Sequence, residues 1–202
     1  MEVYKTVPHE FADKFESGEE VKIDTFSAYH KMDTPRQDPM DGKARNVVDH
    51  YQIEGVASDH ENAALMSMGI SQSMCIGGEF TNLVHETELR DMYVFCTSHT
   101  PDFKKAEEMN CSLFKISDLT KFASKVRSVK YNQFGNFAVR QVMYEPRTGN
   151  PFVDGPRFAD PFKKDLDYAC ENEIRAIWKI KGTRRGPIFR LPAVRRYIER
   201  LS

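Results

Sequence analysis

The stretch 168–181, Tyr-Ala-Cys-Glu-Asn-Glu-Ile-Arg-Ala-Ile-Trp-Lys-Ile-Lys, constrains the fold of this chain more than any other. Read with a period of two, Ile174, Ala176, Trp178 and Ile180 fall on one face. At 3.6 residues per turn the same four positions scatter around a helix. β-Branched and aromatic residues favour the strand as well. The spacing therefore predicts a strand with one buried apolar face and Glu171, Glu173 and Arg175 in a row on the other. Carboxylates two apart on a strand lie roughly 6.5–7 Å apart at Cα, close enough to perturb one another or share a cation. Spacing alone favours a plainer reading, a solvated strip of alternating charge.

The surrounding chain has the length of one domain, and its 40% apolar and 29% charged residues suit a soluble protein with a core. A net charge of −1 gives no global field for nucleic acid or membrane. After Gly182, however, six arginines face the single acid Glu199. We expect an α+β fold, a single domain over 1–181 with a mixed or antiparallel central sheet flanked by short helices. A basic tail or short helix follows over 182–202, with Val194, Ile198 and Leu201 as a narrow apolar stripe. Cys75, Cys96, Cys111 and Cys170 are widely spaced without histidine partners and read as reduced thiols of a cytoplasmic protein. No signal peptide or membrane-length apolar run is legible.

Along the chain, 8–17 reads as a helix with Phe11 and Phe15 on one stripe and Gly18 as its stop, and 21–29 as a strand. The loop 29–42 is dense in binding and titrating groups: His30, Lys31, Asp33, Arg36, Asp38 and Asp41. Strands are expected over 46–56 and 73–86, joined by a polar connection. Residues 91–96 form the clearest buried strand and deliver Thr97, Ser98 and His99 at its mouth. Thr100 is placed as the cap of a helix to about Met109, with Pro101 near its start. A strand over 111–116 and a helix from Asp118 to about 127 follow. Strands at 129–131 and 139–144 are expected around a Gly-Asn turn at 135, with a loop over 145–160.

Three pieces resemble a little-characterised bacterial family often found beside defence genes. They are Val-Lys-Ile-Asp-Thr-Phe-Ser-Ala-Tyr-His with Arg-Gln-Asp-Pro-Met-Asp-Gly, then Val-Phe-Cys-Thr-Ser-His, then Tyr168-Ala-Cys-Glu-Asn-Glu-Ile-Arg. The last is similar to that family's aromatic-x-x-Glu-x-Glu-aromatic-Arg signature, with Ile174 in place of the second aromatic. The same order of features resembles the ADP-ribosyltransferase superfamily. That resemblance implies an enzyme using NAD as substrate, with no metal. Glu173 is then the catalytic carboxylate, Glu171 the group that activates the acceptor, and Arg175 the residue that orients them. Tyr29, His30, Arg36, Thr97, Ser98, His99 and Tyr168 are the cofactor-binding set it implies. No arginine lies within 21–29, and Thr-Ser-His departs from the superfamily's Ser-Thr-Ser order. The implied partners are a nucleotide substrate and a macromolecular acceptor, protein or nucleic acid, with an acidic partner for the basic tail. Two other readings stand beside it: a non-catalytic module that binds nucleic acid or protein, and a metal-dependent nuclease holding its ion on Glu171, Glu173 and an aspartate of the 33–41 loop.

Overall fold

The computed structural model describes residues 1–29, 41–70, 76–183 and 186–202. The chain divides into two compact units: Met1–Gln37, Asp91–Val142 and Ala169–Ser202 form one, and Asp38–Arg90 with Met143–Tyr168 the other. The α+β class expected from the sequence is what is found, with antiparallel pairing dominant and short helices at the flanks.

In the first unit, strands β1 (Val3–Pro8), β2 (Asp24–Thr25), β3 (Met92–Ser98), β4 (Cys111–Ile116), β5 (Phe134–Gln141), β6 (Glu173–Ile180) and β7 (Ile198–Arg200) build one sheet. Its order is β7-β4-β1-β3-β6-β5, with β2 also paired to β3. Every pairing in it is antiparallel. One edge of β3 is occupied by β6, so β1 and β2 share the other: Tyr4 pairs with Ser98 and Asp24 with Val94. The helices of this unit are α1 (Ala12–Ser17), α2 (Phe26–Tyr29), α3 (Phe103–Glu108) and α4 (Leu119–Val129).

The apolar face of β6 is buried as its alternation requires, with Ile174, Ala176 and Trp178 at most 1% exposed. Helix α4 covers that face with Leu119, Phe122, Ala123 and Val126, the stripe read from the sequence. Trp178 Nε1 donates to the Ala123 carbonyl at 3.2 Å, so the indole satisfies its one polar group inside the core. Asp118 caps α4 by accepting from the Thr120 and Lys121 amides.

The second unit is a long hairpin, Lys43–Val56 against Ile76–Glu88, with Thr148–Gly149 parallel to its first strand. Helix Asp59–Ser67 and the loop residue Phe152 complete its small core with Val48, Ile53, Leu65 and Met68. The Tyr51 and Phe152 rings stack at 4.2 Å.

Several expectations need correction. The strand expected over 21–29 turns after Thr25 into α2, because the Thr25 hydroxyl accepts the Ala28 amide and closes a helical turn. The polar connection before residue 73 carries the helix Asp59–Ser67, started by a reciprocal Ser58–Glu61 capping box. Asp102, not Thr100, caps α3 by accepting the Lys105 amide. Residues 129–131 close α4 instead of forming a strand, and Gly135 lies inside β5, where a Cβ would stand 3.1 Å from the Lys179 carbonyl oxygen. The residues beyond 182 are not a separate appendage of the first unit. Ile188–Phe189 pairs with Val21–Lys22, and β7 extends the main sheet beside β4. The expected tail helix is one short 3₁₀ segment, Pro192–Tyr197, whose Val194 is fully buried.

Candidate functional site

Strand β6 starts at Glu173 and not at Glu171. Asn172 takes a left-handed backbone, φ 44°, between the two glutamates, and Glu171 closes the 3₁₀ helix Leu166–Glu171. The row of Glu171, Glu173 and Arg175 expected on one strand face is therefore broken. Asparagine is among the residues that tolerate this conformation.

Glu173 and Arg175 remain on one face, and that face is buried too: Glu173 is 5% and Arg175 1% exposed. The guanidinium grips the carboxylate in two parallel bonds, Nε to Oε1 at 2.9 Å and Nη2 to Oε2 at 3.0 Å. The Arg175 Cζ lies 5.6 Å from the centre of the Phe26 ring, which α2 places over it. A solvated strip of charge is excluded by these exposures. A bidentate pair this dry is fixed in geometry, and its two charges balance one another out of water.

Across the ladder, Ser98 stands opposite Glu173 and Cys96 opposite Arg175, so all four side chains emerge on the same face. Burial, then the negative charge of Glu173, pushes the Cys96 thiol far above its ordinary range and keeps it protonated. The Ser98 hydroxyl donates to the Thr100 carbonyl at 2.8 Å. Thr97 points to the opposite face, with Ile174, and donates to that residue's carbonyl at 2.8 Å. The pleat thus separates Thr97 from Ser98 and Glu173, although the resemblance gives all three a part in one site. His99 is exposed, and its amide is tied to the Asn172 carbonyl.

Tyr29 ends α2, and its phenol is raised well above the ordinary value, by burial first and then by the neighbouring Cys96 and the charges of Asp24 and Glu173, with Arg175 opposing. Tyr29 also lines a cavity of about 400 Å³, as do Lys5, Glu20 and Lys22, among apolar walls from Val7, Phe11, Phe15 and Ile188. Lys5, missed in the sequence, is held where β1 and β2 leave a gap along β3. Its ammonium donates to the Cys96 carbonyl at 2.8 Å and lies 5.0 Å from the Phe95 ring centre. Burial lowers its pKa, against the nearby charge of Glu173. The signal that could have found it is a lone lysine alternating with the apolar Val3 and Val7.

Tyr168 belongs to the second unit, where the Lys164 ammonium lies 4.7 Å from its ring centre. His30 and Arg36 fall outside the described residues, as does Cys75. Among the described residues no group of three His, Cys, Asp or Glu side chains is placed to hold a metal ion, and Glu171 and Glu173 no longer share a face.

The first unit is thus an antiparallel α+β body with a buried carboxylate–guanidinium pair and a cavity that reaches the same electrostatic neighbourhood through Tyr29. Compared with family models, with curated proteins and with solved structures, the chain finds no match.

Proposed function

We propose that the chain is a NAD-utilising enzyme of the ADP-ribosyltransferase kind, cleaving the nicotinamide–ribose bond and passing ADP-ribose to water or to a macromolecular acceptor in the cytoplasm. One observation carries this reading. Glu173, Arg175 and Ser98 share one sheet face, and Tyr29, whose phenol feels both charges of the pair, lines a cavity in the same unit. Clustered groups with perturbed ionisation beside a cavity are the usual marks of a site.

The chemistry asks little of the protein beyond fixed charge. As the C1′–nitrogen bond breaks, its electron pair leaves with nicotinamide and positive charge develops on the ribose. A carboxylate accepting a hydrogen bond from the 2′-hydroxyl stabilises that charge, and Arg175 fixes the Glu173 carboxylate by two bonds. The pair is immobile, so little reorganisation accompanies the reaction. Glu171 is left without an assigned part, since it does not share the face of Glu173. The setting in defence conflicts rests on the family resemblance.

The commitment of both Glu173 oxygens to Arg175 favours a second reading, in which the pair is structural and the unit is a non-catalytic binding module. Calorimetric titration of the wild type and Tyr29→Phe with NAD separates the two. The enzyme reading expects saturable binding that Tyr29→Phe weakens; no heat from NAD, with binding of nucleic acid or a protein partner instead, supports the module.

A further inference from the structure

Lys5 is a half-buried strand residue that alternates with the buried Val3 and Val7, at 0% and 8% exposure. It lines the cavity of about 400 Å³ together with the apolar side chains of Val7, Phe11, Phe15 and Ile188. Among the described residues its nitrogen is in no ion pair, and its hydrogen bond goes to the Cys96 carbonyl at 2.8 Å. A carbonyl is a neutral acceptor, so it serves the amine as well as the ammonium, and a primary amine keeps a lone pair when it donates. Lys22 contributes a second positive charge nearby, which opposes the charge on Lys5. Desolvation in an apolar pocket and a neighbouring cation are the two devices that turn a lysine into a nucleophile.

We propose that Lys5 is a reactive amine that captures a small aldehyde or ketone with an apolar body in this cavity, as a Schiff base. The Nζ lone pair attacks the carbonyl carbon, and the carbonyl π pair moves to oxygen, which takes a proton from water. The resulting carbinolamine loses that oxygen as water while nitrogen sheds its proton and forms the C=N bond. The net change is amine plus carbonyl giving imine plus water, with no oxidant or reductant. The apolar walls suit a ring or short alkyl chain, and the cavity volume lies within the usual range for a small ligand. Lowering of the Lys5 pKa by burial raises the fraction of free amine at neutral pH, which supports the geometry. This chemistry needs no nucleotide and stands or falls apart from the NAD reading.

The test is trapping with pyridoxal at limiting concentration, followed by sodium borohydride, intact mass and peptide mapping. Reduction of the imine leaves a secondary amine heavier by the mass of pyridoxal less one oxygen. We expect one adduct per folded chain, at Lys5, with labelling well above the mean of the exposed lysines. In urea the preference should vanish. Lys5→Arg keeps the charge but cannot form the imine, and should abolish the single adduct while far-UV circular dichroism stays that of the wild type. If that variant does not fold, the folded-versus-urea comparison on the wild type decides. Labelling spread evenly over surface lysines in the folded chain, or an adduct that omits Lys5, overturns the proposal.

Discussion

Glu173 and Arg175 lie two residues apart on one strand, and burial decides what each is worth. A paired buried ion is neutral or modest in net stability, but removing one partner strands the other charge. Glu173→Gln, isosteric as it is, should therefore destabilise the first unit by about 3–5 kcal/mol, read as a lower urea midpoint. The solvated strip that spacing alone favours would make this substitution cheap, and the burial of Glu173 corrects that reading. The double variant Glu173→Gln/Arg175→Met should regain much of that loss; equal destabilisation by single and double variants would contradict the pair's coupling. Alkaline behaviour follows from the same neighbourhood. Cys96 and Tyr29 have folded pKa values above their ordinary ones, so each stabilises below its unfolded value and loses that contribution as pH rises through the folded one. Lys5 is depressed, so its folded state sheds its proton first and its contribution grows between that value and the ordinary value of about 10.4. Stability should fall from about pH 8.5–10 upward, less steeply in Tyr29→Phe and more steeply in Lys5→Met. Urea midpoints measured against pH check both signs.

At the scale of elements, what was legible had strong local codes. Helix α4 has an aspartate cap and an unbroken apolar stripe, and β4 is a run of strand formers; both stand where the sequence puts them. The helix Asp59–Ser67 also had a readable code, Ser58 three residues before Glu61, but its mixed composition gives no amphipathic face to confirm it. The break at Asn172 had none. An asparagine inside an alternating run reads as a strand position, and only the tertiary setting turns it left-handed. The pairing of Ser98 with Glu173 depended on register, which a single strand does not reveal, whereas the opposite facing of Thr97 and Ser98 follows from alternation alone. Gly18 illustrates a backbone requirement: φ is 73°, and a Cβ would stand 2.5 Å from the Leu191 carbonyl oxygen. Gly18→Ala should cost more than the roughly 1 kcal/mol of a left-handed residue alone, because the clash is with backbone. Thermal unfolding checks it.

For the whole chain, the division that matters separates two interleaved units, not a body and its tail. Short-range composition could not show this, because each unit is assembled from segments far apart in sequence. Among the described residues no helix is long and apolar enough to cross a membrane. Truncation after Gly182 should remove β7 and the buried Phe189, Leu191, Val194 and Ile198 from the first unit. Far-UV circular dichroism and denaturant titration of the truncated chain should show the unit severely destabilised, and an unchanged midpoint would contradict the sheet order. The central claim is that the first unit turns over NAD through the charge of Glu173. The measurement is nicotinamide release from NAD by the wild type and by Glu173→Gln, expressed per folded molecule, with and without cell extract as acceptor. Loss of one transition-state electrostatic contact, roughly 3–4 kcal/mol, predicts a variant slower by about a hundred- to a thousandfold. A wild type that releases no nicotinamide under either condition, or a folded variant as fast as the wild type, would contradict it.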